Sequence, residues 1–74
     1  MRDRFQPVDR TWLEAERRKK GFMQKEVAAA AEMHATRYNR IECGMVDPTL
    51  REAFAISRML GFDVNLFGDE KTLD

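Results

Sequence analysis

The stretch MQKEVAAAAEMHATRYNRIECG, residues 23–44, constrains this chain more than any other, because it holds two short helical patterns separated by a tight turn. In the first, over residues 23–31, Val27, Ala28 and Ala31 fall at i, i+1 and i+4 and so share one face. That face is small, and a neighbouring helix can approach it closely. The alanine run over residues 28–31 is a strong helix former and carries no further signal. After Glu32 and Met33, a second helix occupies about residues 35–43. Tyr38 and Ile41, three apart, mark its apolar side, while Thr36, Arg37, Asn39 and Arg40 lie elsewhere. Gly44 then ends it, as glycine does just past a helix.

The flanking residues supply the rest of an all-α domain. Residues 1–8 have no helical periodicity and contain Pro7, so they read as an N-terminal arm, with Phe5 or Val8 folding back onto the core. A first helix spans about residues 10–20, opened by Asp9 or by a capping box Thr11-x-x-Glu14 and closed by Gly21. Trp12 and Leu13 anchor it, with the aliphatic part of Arg17. A later helix has Asp47 as N-cap, Pro48 as first helical residue, Thr49-x-x-Glu52 as a box and Gly61 as its stop. Its stripe is Leu50, Ala53, Phe54, Ser57, Leu60 and Gly61, widened by Ile56 and Met59. Residues 62–67 make either a short fifth helix or an extended edge, since Phe62, Val64 and Leu66 alternate. Residues 68–74 read as a polar tail, which leaves residues 9–67 as the folded domain.

Composition excludes several functions. At 74 residues the chain is a single domain near the lower size limit for a core without staples, and its one cysteine cannot close an internal disulfide. One histidine and one cysteine cannot build a metal site or a nucleophile with its base. No phosphate-cradling glycine loop, cofactor fingerprint or small-molecule pocket is evident, so neither enzyme nor cofactor is expected. Met23, Met33 and Met59 read as gap-filling core, with Met45 the exception. No apolar run is long enough for a membrane span and no signal-peptide pattern opens the chain, so the expected address is the cytoplasm.

The spacing of Leu13, Arg17, Gly21, Phe22, Gln24, Val27, Ala28, Ala31, Met33, Tyr38, Ile41, Glu42, Gly44, Pro48, Leu50, Leu60 and Gly61 resembles the Cro and lambda-repressor type helix-turn-helix family (XRE-like). The resemblance runs without a gap from Leu13 to Phe67. It implies a compact lambda-repressor-like DNA-binding domain of four or five helices, with the helix-turn-helix at helices 2 and 3, in a bacterial or phage-encoded protein. It further implies base contacts from Ala35, Thr36 and Arg40, phosphate contacts from Gln24, Lys25, His34, Arg37 and Asn39, and an ion pair between Arg17 and Glu42. The physical reasons are plain: an arginine can read guanine O6 and N7 together, and a methyl group can touch that of thymine. An arm in such a domain can enter the minor groove, here through Arg2 and Arg4, but a frayed end is the preferred reading.

Four positions depart from the family pattern. Glu32 stands where a glycine is usual, Met23 and His34 stand where hydroxyl caps are usual, and the loop Met45-Val46-Asp47 lacks the usual cation. Thirteen basic and thirteen acidic residues give no net charge, yet residues 1–43 hold ten Lys or Arg against seven Asp or Glu, and residues 44–74 three against six. The basic half carries the motif. The expected function is that of a sequence-specific transcriptional regulator, a repressor, acting on a palindromic operator as a homodimer. The expected dimer contacts are Phe62, Val64, Leu66 and Phe67, or the Met45-Val46 loop, with packing of these residues onto the monomer's own core as the competing reading. The alternative is a protein-interaction module, antitoxin-like or from a mobile element, whose helix pair holds a protein partner; zero net charge and the non-basic loop favour it.

Overall fold

Asp9 starts the first helix: its Oδ1 accepts from the Thr11 backbone N–H at 3.2 Å and from the Thr11 hydroxyl at 2.8 Å. In this computed structural model, which describes residues 7–70, the elements are α1 (Thr11–Lys20), α2 (Gln24–Ala30), α3 (Ala35–Glu42), α4 (Leu50–Leu60) and a closing 3-10 helix (Val64–Asp69). The capping box at Thr11 is therefore not what opens α1. The expectations for Arg2, Arg4 and Phe5 lie outside the described residues. In place of an extended edge over residues 62–67 the chain forms the 3-10 helix from Val64 on, capped by the Asp63 carboxylate on the Asn65 N–H at 2.9 Å.

At α2 the missing hydroxyl cap is replaced from the other side. The Met23 N–H donates to the Glu26 carboxylate at 2.7 Å, which satisfies one of the unpaired donors at the helix start. At α4 the two capping readings separate. Thr49, not Asp47, is the N-cap: its Oγ1 accepts from the Glu52 N–H at 3.1 Å, and the Glu52 carboxylate accepts from the Thr49 N–H at 2.8 Å. Asp47 is drawn away by Arg10, at 3.0 Å, and Pro48 precedes the helix.

Leu13, Val27, Ala28, Ala31, Tyr38, Ile41, Ile56 and Leu60 form one buried cluster that joins all four α-helices. The small face of α2 does what its composition requires, letting α3 and α4 close on it. The α4 stripe is rotated from its expected position. Ala53, Ile56, Ser57 and Leu60 are buried, while Leu50 is 72% and Phe54 44% exposed. Beyond α4, Phe62 and Phe67 pack edge-on against the Trp12 ring, with centroids 5.0 and 5.1 Å away. Trp12 thus anchors the C-terminal segment and Leu13 the helical core.

Candidate nucleic-acid interface

α2 and α3 are joined by a turn whose geometry the sequence made costly. Glu32 sits at φ 58°, the one non-glycine residue with positive φ among those described. Two hydrogen bonds close the turn, Glu32 N–H to Ala29 carbonyl at 3.1 Å and Met33 N–H to Ala28 carbonyl at 2.9 Å. At the far end of α3, Gly44 also has positive φ, and a side chain there would run into the Val8 carbonyl. Both ends of α3 are therefore fixed by backbone geometry.

Tyr38, Ile41 and Glu42 face inward on α3, and Ala35, Thr36, Asn39 and Arg40 are exposed. Among the described residues, the side chains of Lys25, Thr36 and Arg40 engage no hydrogen bond or ion pair. Arg40 so presents a rigid fork of N–H donors to any acceptor that arrives. His34, Thr36, Arg37 and Arg40 border one open groove, with Val46 beside them. His34 stands at the N-cap position of α3 without a side-chain cap bond.

Arg17 and Glu42 meet beneath this face in a two-point pair, Nε to Oε2 at 2.8 Å and Nη2 to Oε1 at 2.9 Å. Arg17 Nη1 also donates to the Phe22 carbonyl at 2.9 Å, so the pair ties α1, the α1–α2 turn and α3 together. Burial alone would raise the Glu42 carboxyl, but the bonds from Arg17 and Gln24 outweigh it and hold the group below its ordinary range. The fully buried Tyr38 hydroxyl ends nearby without a well-aligned hydrogen bond, and burial first, then Glu42, keeps that phenol protonated.

Two residues expected at phosphates are engaged differently. Gln24 Nε2 donates to Glu42 Oε1 and to Asn39 Oδ1, both at 3.1 Å, which uses both of its amide hydrogens. Because Glu42 can only accept, the amide cannot be turned the other way. Gln24 then has only an acceptor left, and a phosphate oxygen needs a donor. Its partner gains by this: with Oδ1 occupied, Asn39 has its NH2 group for outside acceptors. Arg37 is bound at two points to Glu52, Nε at 2.9 Å and Nη2 at 2.8 Å, with 40% of its side chain exposed.

The residues expected at a dimer contact divide. Phe62 and Phe67 are half-buried against Trp12, Val64 is half-buried, and Leu66 is 37% exposed. Met45 is exposed and Val46 packs on the core. Leu50, Phe54 and Val64 line an open groove with Pro48 and Asn65, bordered by Arg10, Asp47 and Glu70.

A second polar centre escaped the sequence reading. Arg10 is buried, 3% exposed, and its guanidinium reaches four residues. Nε and Nη2 donate to the two Glu70 oxygens at 2.6 and 2.7 Å, Nη1 to the Ile41 and Val46 carbonyls at 2.7 and 2.9 Å, and Nη2 to Asp47 Oδ1 at 3.0 Å. Burial works against the charge, but Glu70 and then Asp47 more than offset it and raise the Arg10 pKa. The Trp12 indole N–H also donates to Glu70, at 2.8 Å, and the guanidinium lies 5.4 Å from the Phe67 ring centroid. Glu70, expected in a polar tail, is thus tied into the packed molecule. These partners lie 31 to 60 positions from Arg10, a span over which no local pattern could have signalled them.

Comparison with known proteins agrees with this geometry. The chain matches the family described as Helix-turn-helix over residues 13–67. It is also similar to the uncharacterized HTH-type transcriptional regulator YqaF of Bacillus subtilis (strain 168), 39% identical over 61 residues that cover 82% of this chain and 80% of that one.

Proposed function

Since the chain belongs to the helix-turn-helix family of the Cro and lambda-repressor type and is a DNA-binding transcription regulator, we propose that it is a repressor that lays α3 in the major groove of a palindromic operator. In this reading Ala35, Thr36 and Arg40 meet base edges. Lys25, His34, Arg37 and Asn39 contact phosphates, and Gln24 acts by orienting Asn39. Occupying a promoter then blocks transcription.

One observation carries the reading: Thr36 and Arg40 stand exposed and unengaged on the side of α3 opposite its buried Tyr38 and Ile41. A helix held at both ends with a free polar flank suits base reading, since phosphate contacts position a domain and base contacts make it specific. One module of this size buries only about 600–1,000 Å² on DNA, so useful specificity calls for two copies on related half-sites. Leu50, Phe54, Val64 and Leu66 supply the apolar surface for that pairing.

The test compares two substitutions on a duplex enriched from a random-sequence library. Arg40→Ala should cost about 1–3 kcal/mol and relax preference at one base position, whereas Lys25→Ala should weaken all duplexes alike. If Arg40→Ala weakens enriched and unrelated duplexes equally, direct base readout by α3 is wrong.

A further inference from the structure

The carbonyls that close α3 are held from outside the helix pair. Helix C-termini leave carbonyls without intrahelical partners and favour a nearby cation. Arg10 meets both needs, with Nη1 on the Ile41 carbonyl in the last turn of α3 and on the Val46 carbonyl in the loop beyond. That loop is stitched directly to the base-facing residue: the Met45 and Val46 N–H groups donate to the Arg40 carbonyl at 2.9 and 3.4 Å. Arg10 can stay buried there only because Glu70, itself 5% exposed, faces it with a carboxylate. Asp47, 62% exposed, is too well solvated to replace that charge.

We infer that Arg10 is a positioning residue for DNA reading, held in place by Glu70, and that the Glu70 end of the chain thereby controls how firmly α3 presents Arg40. The inference rests on the proposed role of α3 at the bases. Without the Glu70 charge, a buried guanidinium has no buried counter-charge and moves toward water. The Ile41 and Val46 carbonyls then lose the Arg10 donor together, and Ile41 keeps the Gly44 N–H at 3.0 Å. The loop loosens, and with it the backbone that carries Arg40.

Glu70→Gln in the full chain tests this, because glutamine keeps the shape and removes the charge. Glu16→Gln serves as control, since among the described residues Glu16 pairs only with Lys19, one turn along α1. Hydrogen exchange is measured at Met45 and Val46 against Val27 and Ile56. Emission of Trp12, the sole tryptophan, reports whether Glu70 has left the indole. The expected result for Glu70→Gln is faster exchange confined to Met45 and Val46, a shifted Trp12 emission, and roughly three- to tenfold weaker binding to the enriched duplex with binding to unrelated DNA unchanged. Glu16→Gln should change none of these.

Glu70→Asp, which retains the charge at shorter reach, carries the same comparison with a smaller effect should Glu70→Gln fold poorly. Unchanged exchange at Met45 and Val46, or a uniform rise that includes Val27 and Ile56, overturns the inference. So does an equal loss on enriched and unrelated DNA. A wild-type chain that prefers no duplex refutes base reading instead, and the exchange result still decides whether Arg10 holds the loop.

Discussion

Glu32 shows how far a single residue can be read from sequence. Its position after an alanine run and before a polar helix marks the turn, and the turn demands the left-handed conformation that φ 58° records. A side chain held there is disfavoured by about 1 kcal/mol relative to glycine. The Glu32 carboxylate meets Arg51 at 3.1 Å, but with 79% and 60% of the two side chains exposed that pair contributes at most a few tenths of a kcal/mol. Relief of backbone strain therefore outweighs loss of the ion pair. Glu32→Gly should raise the melting temperature by about 2–6 °C for a domain of this size, measured by circular dichroism; a lower melting point would show that the turn is not strained. Arg10 is the opposite case. Nothing in DRTW announces a buried arginine, because its partners come from the ends of α3 and of the whole chain.

Elements are legible where the signal is local, and ambiguous where two local signals compete. α4 offers both Asp47-Pro48 and Thr49-x-x-Glu52 as its start. The capping box prevails because Glu52 serves three groups at once: the Thr49 N–H, and Arg37 through two nitrogens. The stripe of α4 follows from spacing only in part, because spacing does not reveal that the small side of α2 draws Ile56 inward and leaves Leu50 outside. The junction of α3 and α4 makes a pH prediction. Hydrogen bonds from Arg37 first, opposed by burial and aided by the Thr49 N–H, hold the Glu52 carboxyl at about 2 against an ordinary 4.5. A lowered pKa adds stability that is complete above about pH 4.5 and is lost as pH falls toward 2. Allowing for screening at the half-exposed Arg37, the loss is on the order of 1–2 kcal/mol. Glu52→Gln should lower stability at neutral pH and flatten the acid limb of a denaturant-midpoint profile between those values. An acid limb as steep as wild type would assign the loss to other carboxylates, with Glu42 the first to examine.

Across the whole molecule, charge separates into halves along the sequence, and the fold joins them through the pairs of Arg10 with Glu70 and Asp47 and of Arg37 with Glu52. The basic half contributes α2 and α3, the acidic half the segment whose Glu70 is tied into the core. With zero net charge, attraction to DNA must come from a few placed cations, and the described structure narrows them. Lys25 and Arg40 are unengaged, while the Arg37 charge is largely answered by Glu52. Each phosphate neutralised on duplex DNA adds about −0.9 to the slope of log affinity against log salt. Two to three contacts per protomer then give a slope of roughly −2 to −3 for one copy and roughly −4 to −5 for two. Salt titration on an operator with both half-sites, repeated on a single half-site, therefore counts phosphates and copies together. Phe54→Glu, which places a charge in the exposed groove of Leu50 and Val64, should turn the steeper slope into the shallower one and abolish the advantage of the second half-site. Sedimentation of the complex should fall from two protomers per duplex to one. A slope that stays at roughly −2 to −3 on the full operator for wild type would mean that single copies bind and that the apolar groove serves another partner.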